Sequence, residues 1–524
     1  MLGSAAALSG FLVRPATAQE LPSPFVQVVA AEASSDEAVA AFYRAQNYQP
    51  IWTAEADAAR RAALFNTLSR AGDHALPMNR YDVAALERLL TDAVTEGDRA
   101  RAEVALTRAY LAYANDVKSG VLTPKKIDAG VVREISRPDP AVLLAAIVSQ
   151  DPAKVLRDLA PKSPQYAQLM RAKLALEARI VAGGWGPVVP GKALGPGDTG
   201  TGVVALRDRL MAMGYLGRTA TQTYDAAMQS AVQRFQLDHG LIADGLAYEG
   251  TLQQMNIAPE ERMKSIIVAM ERMRWMGDAP LGDRHIWVNL PDFSAKIIDH
   301  GKVTFETRAV IGKNVPDQHT PEFSDVMELM VINPSWGVPR SIIVKEYLPL
   351  LQRNPNAVSH LQVVDGKGRV VPRRAVNFAG YSSRTFPFGL RQPPSDGNAL
   401  GKVKFLFPNQ YNIYLHDTPA KSLFSHEVRA YSHGCIRLAD PFDFAYALLA
   451  AQTDDPKGTF EGFLKTDRES PVKLEQTVPV HLVYFTAYPG PKGQMTYRRD
   501  IYGRDALMFQ ALEAAGVALD RVQG

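Results

Sequence analysis

The spacing of hydrophobic and polar residues divides the chain into regions of different predicted structure. Residues 28–190 carry apolar residues mostly at helical intervals, which predicts a helical N-terminal domain. A Gly/Pro-rich linker from 183 to 197 ends this region. Residues 194–258 then predict three short helices, because apolar residues recur every three or four positions between turn residues. The sequence therefore predicts a scaffold domain followed by a small three-helix bundle.

From His285 the pattern changes to short β-rich segments separated by glycine and proline. This pattern predicts a mostly-β domain over 283–485. A stretch at about 340–395 interrupts it, which predicts an inserted capping subdomain that acts as a lid. Residues 486–524 form a C-terminal extension. The expected fold class is multidomain α+β.

Composition and charge narrow the possible partners. The 524 residues are 46% hydrophobic and 22% charged, which is typical of globular domains. A net charge of +3 without a basic block argues against nucleic acid as a partner. No stretch reaches the roughly 18 unbroken apolar residues of a membrane-spanning helix, so no transmembrane span is expected.

The N-terminus predicts export. Residues 2–13 are small and mainly apolar, and Ala16-Thr17-Ala18 fits the small-x-small pattern of a signal-peptide cleavage site. We therefore expect a signal peptide over 1–18. The segment lacks the usual basic beginning, so the true start of the signal is open.

The chain has one cysteine, Cys435, which follows Ser432-His433-Gly434. A single cysteine cannot form an internal disulfide, but it can supply a nucleophile. The alternative is a buried cysteine that packs as a small hydrophobic residue. The polar neighbours, and a free thiol in an exported protein, favour chemistry.

The surrounding residues suggest how the thiol would be activated. A cysteine needs a base or a positive field to become a thiolate, and His416 lies 19 positions upstream. We expect His416 to act as the base, with the carbonyl or the carboxylate of Asp417 orienting its ring. The N–H groups of Gly434 and Cys435 are candidate oxyanion donors, and Arg437 is suited to binding a substrate carboxylate.

Two segments resemble known families. Residues 194–258 resemble the helical peptidoglycan-binding domain that occurs beside many wall enzymes. The matching positions are Val203 to Leu210, Gly214-Tyr215, Tyr224-Asp225, Ala231-Val232, Phe235-Gln236, His239-Gly240-Leu241, Asp244-Gly245 and Thr251. Residues 283–485 resemble the L,D-transpeptidase (YkuD) catalytic domain, through 414–419 and 432–438. The segments 333–339 and 398–405, with the domain order, resemble the large YcbB-type members.

The resemblance implies that Cys435 attacks a donor tetrapeptide stem, releases D-Ala and forms a thioester. The amine of an acceptor stem then resolves it into a 3→3 cross-link. Trp336 and Tyr414 would line the substrate groove, Arg437 would position stem carboxylates, and His433 would shape the site. No metal or cofactor is expected. The expected location is the periplasm, and other wall-synthesis enzymes are further expected partners.

Three alternatives stay open at the sequence level. The same thioester could lead to carboxypeptidase activity or to attachment of a protein to the wall. A zinc hydrolase would use His416 and His433 with Asp417 or Glu427. A non-catalytic protein would use only the wall-binding bundle.

Overall fold

The computed structural model describes residues 22–191 and 193–519, which form two compact units. The smaller unit comprises the chain up to Arg70, Met78–Ala114 and Pro138–Leu159, and the larger unit comprises the remainder. The expected signal peptide lies outside the described residues. Within those residues, every helix is too short or too polar to cross a membrane.

The smaller unit is helical, as the sequence predicts. Several of its helices start at Asp side chains that accept hydrogen bonds from the first free backbone N–H groups, for example at Asp36 and Asp82. The buried carboxylate of Glu103 is fully used, because it accepts from the Tyr43 hydroxyl and the Trp52 N–H. The helices are Pro24–Ala33, Glu37–Ala45, Ala58–Leu68, Val83–Thr91, Glu96–Ser119, Pro140–Ser149 and Pro152–Arg157; the end of the fifth extends beyond the unit.

The three-helix bundle begins the long C-terminal part of the larger unit. Its core contains Val203, Leu206 and Phe235, which are fully buried. A two-stranded pair, Ala193–Leu194 with Ala247–Tyr248, closes the bundle. The helices are Thr201–Ala212, Ala226–Asp238 and Glu249–Met255.

One helix of the predicted N-terminal region packs elsewhere. Helix Pro164–Val181 belongs to the larger unit, where its apolar face packs on helix Pro259–Met276. Residues 71–77 and 115–137, including the short helix Pro124–Ile127, also belong to the larger unit. The helical region 28–190 is therefore divided between two units. Hydrophobic periodicity predicts a buried face but does not say which partner covers it.

Nine strands form the main sheet of the larger unit. In chain order they are β1 (Arg284–Asn289), β2 (Ser294–Asp299), β3 (Lys302–Gly312), β4 (Phe323–Ile332), β5 (Val403–Leu406), β6 (Leu415–His416), β7 (Ala430–Ser432), β8 (Ile436–Leu438) and β9 (Ser470–Val483). Their order is β7-β3-β8-β6-β5-β4-β9-β1-β2, and β2 also pairs with β3. This last pairing closes the sheet into a barrel.

The barrel encloses an apolar core that helix Pro441–Leu449 extends through Phe444 and Leu448. Pro441 occupies the first turn of this helix, where its missing N–H has no intrahelical acceptor to serve. Helix Pro456–Leu464 follows and contributes Phe460 to the same core. The inward-facing strand residues and these two helices therefore share one apolar core.

The inserted subdomain has its own core and sheet. Strands Trp336–Gly337, Gly389–Gln392 and Gln362–Val364 form three neighbouring strands beside a helical stretch. That stretch runs through Arg340–Ile342, Ile343–Tyr347 and Leu348–Arg353, and its middle segment is a π-helix. Trp336 pairs with Gln392, so the inserted sheet starts before the predicted boundary at 340.

The C-terminal extension fastens to the core through buried charges. It contains the hairpin Ala487–Pro489 with Met495–Tyr497 and the helix Arg504–Ala514. Arg504 and Arg272 both bind the buried carboxylate of Glu322, at 3.4 Å and 2.6 Å. Burial raises the pKa of the neighbouring Asp505 to about 7, while Arg272 acts in the opposite direction. Charged groups that are buried away from water need oppositely charged partners to offset the cost of losing hydration.

Glu322→Gln should lower the free energy of unfolding by about 3–5 kcal/mol, because it leaves Arg272 and Arg504 buried without their shared counter-charge. Denaturant unfolding followed by tryptophan fluorescence measures the effect. Glu261→Gln is the control, since its ion pair with Lys264 is exposed and should contribute less than about 1 kcal/mol. Equal losses in the two variants would contradict a structural role for the buried network.

Candidate active site

Two short parallel strands, β6 and β8, bring the predicted site residues together. In their register Leu415 lies opposite Ile436, and His416 lies opposite Arg437. Leu415 and Ile436 are fully buried in the barrel core. Side chains alternate between the faces of a sheet, so His416 and Arg437 project from the opposite face.

Tyr414 and Cys435 continue this arrangement by one residue. The Ile436 N–H donates to the Tyr414 carbonyl at 3.0 Å, which extends the pairing towards Cys435. The Tyr414 and His416 rings lie 5.6 Å apart between centroids. Tyr414 and His416 therefore share one face with Cys435 and Arg437, and His416 lies diagonally across the two strands from Cys435.

His416 is buried and its ring is oriented by the backbone. Its Nδ1 lies 2.5 Å from the Asp417 carbonyl oxygen, so Nδ1 carries the proton and Nε2 has a free lone pair. Burial, together with the positive charge of Arg437, lowers the pKa of His416 to about 3. The imidazole is therefore neutral and can accept a proton at Nε2.

The Asp417 carboxylate has a different task. It accepts from Lys421 Nζ at 2.7 Å and from the backbone N–H groups of Lys402 and Thr418 at 2.8 Å and 2.7 Å. Of the two ways in which Asp417 was expected to orient His416, the structure uses the carbonyl. The carboxylate instead fixes the turn that presents that carbonyl.

Cys435 is half-buried, and its thiol donates to the Asn412 carbonyl at 3.4 Å. Burial raises the pKa of the thiol to about 11. The interaction with Tyr414 and the charge of Arg437 act in the opposite direction. The resting site thus combines a neutral thiol with a neutral imidazole rather than a thiolate–imidazolium pair.

Gly434 allows the sharp turn before Cys435. Its φ of +117° is one that side-chain-bearing residues rarely adopt. Its N–H donates to Ser432 Oγ at 3.1 Å, and the Ser432 hydroxyl donates to the Cys435 carbonyl at 2.5 Å. The Gly434 N–H, expected as an oxyanion donor, is therefore engaged inside the turn. This differs from the expectation, because the serine hydroxyl competes for the same N–H.

Arg437 is the charged group of this face. It is half-buried, and its buried Nε has no hydrogen-bond partner among the described residues. Burial lowers the pKa of Arg437, and Cys435 is the neighbour that opposes this shift. A buried guanidinium N–H without an acceptor can donate a hydrogen bond to an oxygen atom that enters this face.

Tyr414 connects the catalytic face to the inserted subdomain. Its hydroxyl interacts with both the Cys435 thiol and the Trp336 side chain. Burial raises the pKa of Tyr414, so the phenol stays protonated. The two residues expected to line a substrate groove therefore lie beside the thiol, one from each subdomain.

His433 is exposed and contacts the inserted subdomain. Its Nε2 lies 2.7 Å from the Glu346 carboxylate, on the π-helical segment. The neighbouring Lys345 forms an ion pair with Asp317 of the barrel domain. His433 therefore links the turn before Cys435 to the insertion. His416, and not His433, lies on the sheet face that carries Cys435 and Arg437.

The residues required by the zinc alternative do not form one group. Glu427 is paired with Arg499 at 2.5 Å, His433 with Glu346, and Asp417 with Lys421. Across residues 22–191 and 193–519, no three His, Cys, Asp or Glu side chains converge as metal ligands would.

Sequence reasoning gave no role to several residues of this site. Thr320 donates from Oγ1 to the Gly434 carbonyl at 2.7 Å across 114 positions, and no local pattern predicts that contact. Glu346 is likewise distant from His433 in sequence. Asn412, with a φ of +54°, lies within the turn before β6, and an Asn at such a turn was the available signal.

Three family models match the chain. Residues 37–172 match the scaffold domain, 199–255 the "Putative peptidoglycan binding domain" and 283–463 the L,D-transpeptidase catalytic domain. A protein of Haemophilus influenzae named "Putative L,D-transpeptidase" is 31% identical over 288 residues. The match covers 53% of this chain and 57% of the relative, so the chain spans little more than half of that protein's length.

Two solved structures are also similar. An L,D-transpeptidase from Xylanimonas cellulosilytica shares 15% identity, with 57% of this chain and 100% of the other covered and a TM-score of 0.17. An L,D-transpeptidase from Stackebrandtia nassauensis shares 16% identity, with 57% and 96% covered and a TM-score of 0.23.

Cys435 should alkylate slowly at neutral pH and faster as the pH rises. With a pKa of about 11, roughly one thiol in 10⁴ is ionised at pH 7, so the rate should rise about tenfold per pH unit. Mass spectrometry after iodoacetamide treatment from pH 7 to 10 measures this, and the chain has no second cysteine.

Tyr414→Phe removes the hydroxyl that lowers the pKa of the thiol and should slow alkylation further at each pH. Free cysteine serves as the reference reaction. A rate that stops rising below about pH 9 would contradict the raised pKa of Cys435.

Proposed function

Because the chain contains an L,D-transpeptidase catalytic domain beside a scaffold and a peptidoglycan-binding domain, we propose that it forms 3→3 cross-links in peptidoglycan through a thioester on Cys435. The observation that carries the proposal is the shared sheet face of Cys435, neutral His416 and Arg437. This face offers a nucleophile, a proton acceptor and an anion-binding group together.

In the first step the Cys435 sulfur attacks the carbonyl carbon between the L-centre of the diamino acid and D-Ala. The thiol proton passes to His416 Nε2 as the carbon–sulfur bond forms. The raised pKa of Cys435 and the lowered pKa of His416 make the separated ions unfavourable, so proton transfer accompanies attack. The imidazolium then protonates the D-Ala nitrogen as the carbon–nitrogen bond breaks.

Arg437 couples substrate binding to this proton transfer. A stem carboxylate bound to its guanidinium would satisfy the unpartnered Nε. The carboxylate would also neutralise the positive charge that lowers the pKa of His416. His416 would become a stronger base only with the donor in place, which limits reaction of the empty site.

The oxyanion of the tetrahedral intermediate needs hydrogen-bond donors. The Cys435 N–H is one candidate. The Gly434 N–H becomes another if it exchanges Ser432 Oγ for the oxyanion. Thr320 would hold the Gly434 peptide in position during this exchange, through its bond to the carbonyl.

In the second step an amine attacks the thioester carbon, gives its proton to His416 and forms an amide while the Cys435 thiol is restored. An acceptor stem amine yields the 3→3 cross-link. Water would instead release a tripeptide, and an amine of another protein would attach that protein to the wall. Cross-linking is our first proposal because a peptidoglycan-binding domain accompanies the catalytic domain.

The proposed setting is the periplasmic face of the cell wall. The bundle at 199–255 would hold the enzyme on peptidoglycan, and the N-terminal segment 1–18 would direct export. Donor and acceptor stem peptides are the proposed substrates, with other wall-synthesis enzymes as proposed partners. Tyr414 and Trp336 would line the donor groove, and His433 would position the insertion as a lid.

Incubation with a soluble tetrapeptide stem should give a tripeptide adduct on Cys435, with D-Ala released, and then a cross-linked dimer. Intact-protein mass spectrometry detects the adduct and chromatography the products. The Cys435→Ala variant should give neither adduct nor dimer. If the unsubstituted chain releases tripeptide but forms no dimer, the reaction is hydrolysis and not cross-linking. No adduct on the unsubstituted chain would refute the proposal.

Arg437→Gln should lower kcat/KM for acylation about 10- to 100-fold, because charged hydrogen bonds contribute about 1.5–3 kcal/mol. Arg437→Lys is the matched variant, which keeps the charge and loses the two-pronged geometry. Lysine should recover part of the loss. Unchanged kcat/KM in Arg437→Gln would remove Arg437 from the substrate site.

A further inference from the structure

A cavity of about 490 Å³ lies where the three-helix bundle meets the barrel and the C-terminal extension. The bundle contributes His239, Gly240 and Leu241, and the barrel domain contributes Arg308 and Arg429. Neither Cys435 nor His416 lines it. Its volume is in the range of small-molecule and oligomer subsites.

The cavity exists because the bundle is fastened to the extension. Arg498 donates to the Asp238 carbonyl at 3.1 Å, and Gln494 donates to the Asp238 carboxylate at 3.2 Å. A side chain at Gly240 would meet Arg498 within 2.7 Å, so glycine permits this approach. The bundle therefore forms one wall of the cavity, and hydrogen bonds to the C-terminal extension hold it in place.

His239 is a structural part of this wall. Its ring stacks between Phe235 and Tyr497, with centroids at 3.8 Å and 5.5 Å, and its Nδ1 donates to the Phe235 carbonyl. Burial keeps the pKa of His239 well below its ordinary value. The residue is neutral and does not supply the charge of the cavity.

The carboxylates that line the cavity already have partners. Asp292 binds Arg498 at 2.5 Å, and Glu427 binds Arg499 at 2.5 Å. The other two also have partners, since Glu306 forms an ion pair at 3.2 Å and Asp440 accepts a hydroxyl hydrogen bond at 2.8 Å. The hydrogen bonds and ion pairs of these acidic groups therefore go to partners other than Arg308 and Arg429.

Arg308 and Arg429 are the two arginines of the cavity lining that form no ion pair with a carboxylate among the described residues. Arg308 donates to the Phe424 carbonyl at 3.0 Å, and Arg429 donates to the carbonyls of Ala309 and Phe293, each at 3.2 Å. Burial lowers the pKa of Arg429, and the like charge of Arg308 adds to this effect, whereas the charges of Asp292 and Glu427 act in the opposite direction. Two neighbouring guanidinium groups that bind only carbonyls form a site for an anion.

We propose that this cavity is a second peptidoglycan subsite in which Arg308 and Arg429 bind a stem-peptide carboxylate of the strand that reacts at Cys435. The identity of the ligand rests on the proposed function. The wall-binding bundle forms part of the cavity, and carboxylates are anions that this substrate carries. The subsite would hold the polymer while a neighbouring stem enters the catalytic site.

The chain connects the two sites directly. Arg429 directly precedes strand β7, and Cys435 lies beyond that strand, six positions after Arg429, which is at most about 20 Å at 3.3 Å per residue. Arg308 lies on β3, two residues before Val310, the partner of Arg437. A polymer bound at Arg308 would thus lie along the same strands that carry Arg437 and the catalytic turn.

The experiment measures binding of the full chain to purified sacculi by co-sedimentation, in a Cys435→Ala background that prevents acylation. Arg308→Glu should weaken binding about tenfold, and Arg308→Lys should retain most of it. The control is Arg108→Glu, because Arg108 is also exposed and also binds a backbone carbonyl, yet lies in the smaller unit. Circular dichroism checks that each variant is folded.

Sacculi whose carboxyl groups have been amidated test the ligand chemistry. They should bind the Cys435→Ala chain about as weakly as untreated sacculi bind Arg308→Glu. Equal binding of amidated and untreated sacculi, or equal binding by Arg308→Glu and Arg108→Glu, would overturn the subsite.

Tetrapeptide acylation of the unsubstituted chain is measured separately. Its absence would refute the transpeptidase proposal, while a selective binding loss in Arg308→Glu would still support the cavity as a wall-binding subsite. Normal acylation together with no binding loss would refute the cavity alone.

Discussion

The parallel pairing of β6 with β8 is the constraint on which the site depends. Leu415 and Ile436 must both enter the barrel core, and this fixes the register of the two strands. Since side chains alternate along a strand, the same register places His416 beside Arg437 on the other face. A slip of one residue would exchange the two faces. Core packing therefore holds the proposed nucleophile, base and anion-binding group in one geometry.

The turn before Cys435 depends on contacts from distant parts of the chain. Thr320 binds the Gly434 carbonyl, and its own carbonyl accepts from Arg504, which belongs to the buried charge network around Glu322. On the other side Glu346 of the insertion binds His433. The C-terminal extension and the insertion therefore both support the turn before Cys435, although neither contributes the proposed nucleophile or base.

Electrostatics in this face favour a neutral resting state. Burial lowers the pKa of His416 and raises that of Cys435, so both groups are uncharged before substrate arrives. Arg437 is the nearby charge that influences both. A substrate carboxylate is the natural complement to that charge, and the same logic applies to Arg308 and Arg429 in the second cavity. In the proposed mechanism and in the proposed subsite, binding of a substrate carboxylate also neutralises the charge of the arginines that recognise it.

The sequence by itself determined the multidomain α+β architecture, the three-helix bundle, the β-rich domain and its insertion, because hydrophobic periodicity and turn residues are local properties. The motif around Cys435 and His416 also identified the family of the catalytic domain. The tertiary structure decided which unit covers helix Pro164–Val181, that the carbonyl of Asp417 orients His416, and that Ser432 occupies the Gly434 N–H. It also brought Thr320 and Glu346 to the turn before Cys435. These contacts join residues far apart in the chain, and local sequence patterns contain no information about which distant surface will pack against them.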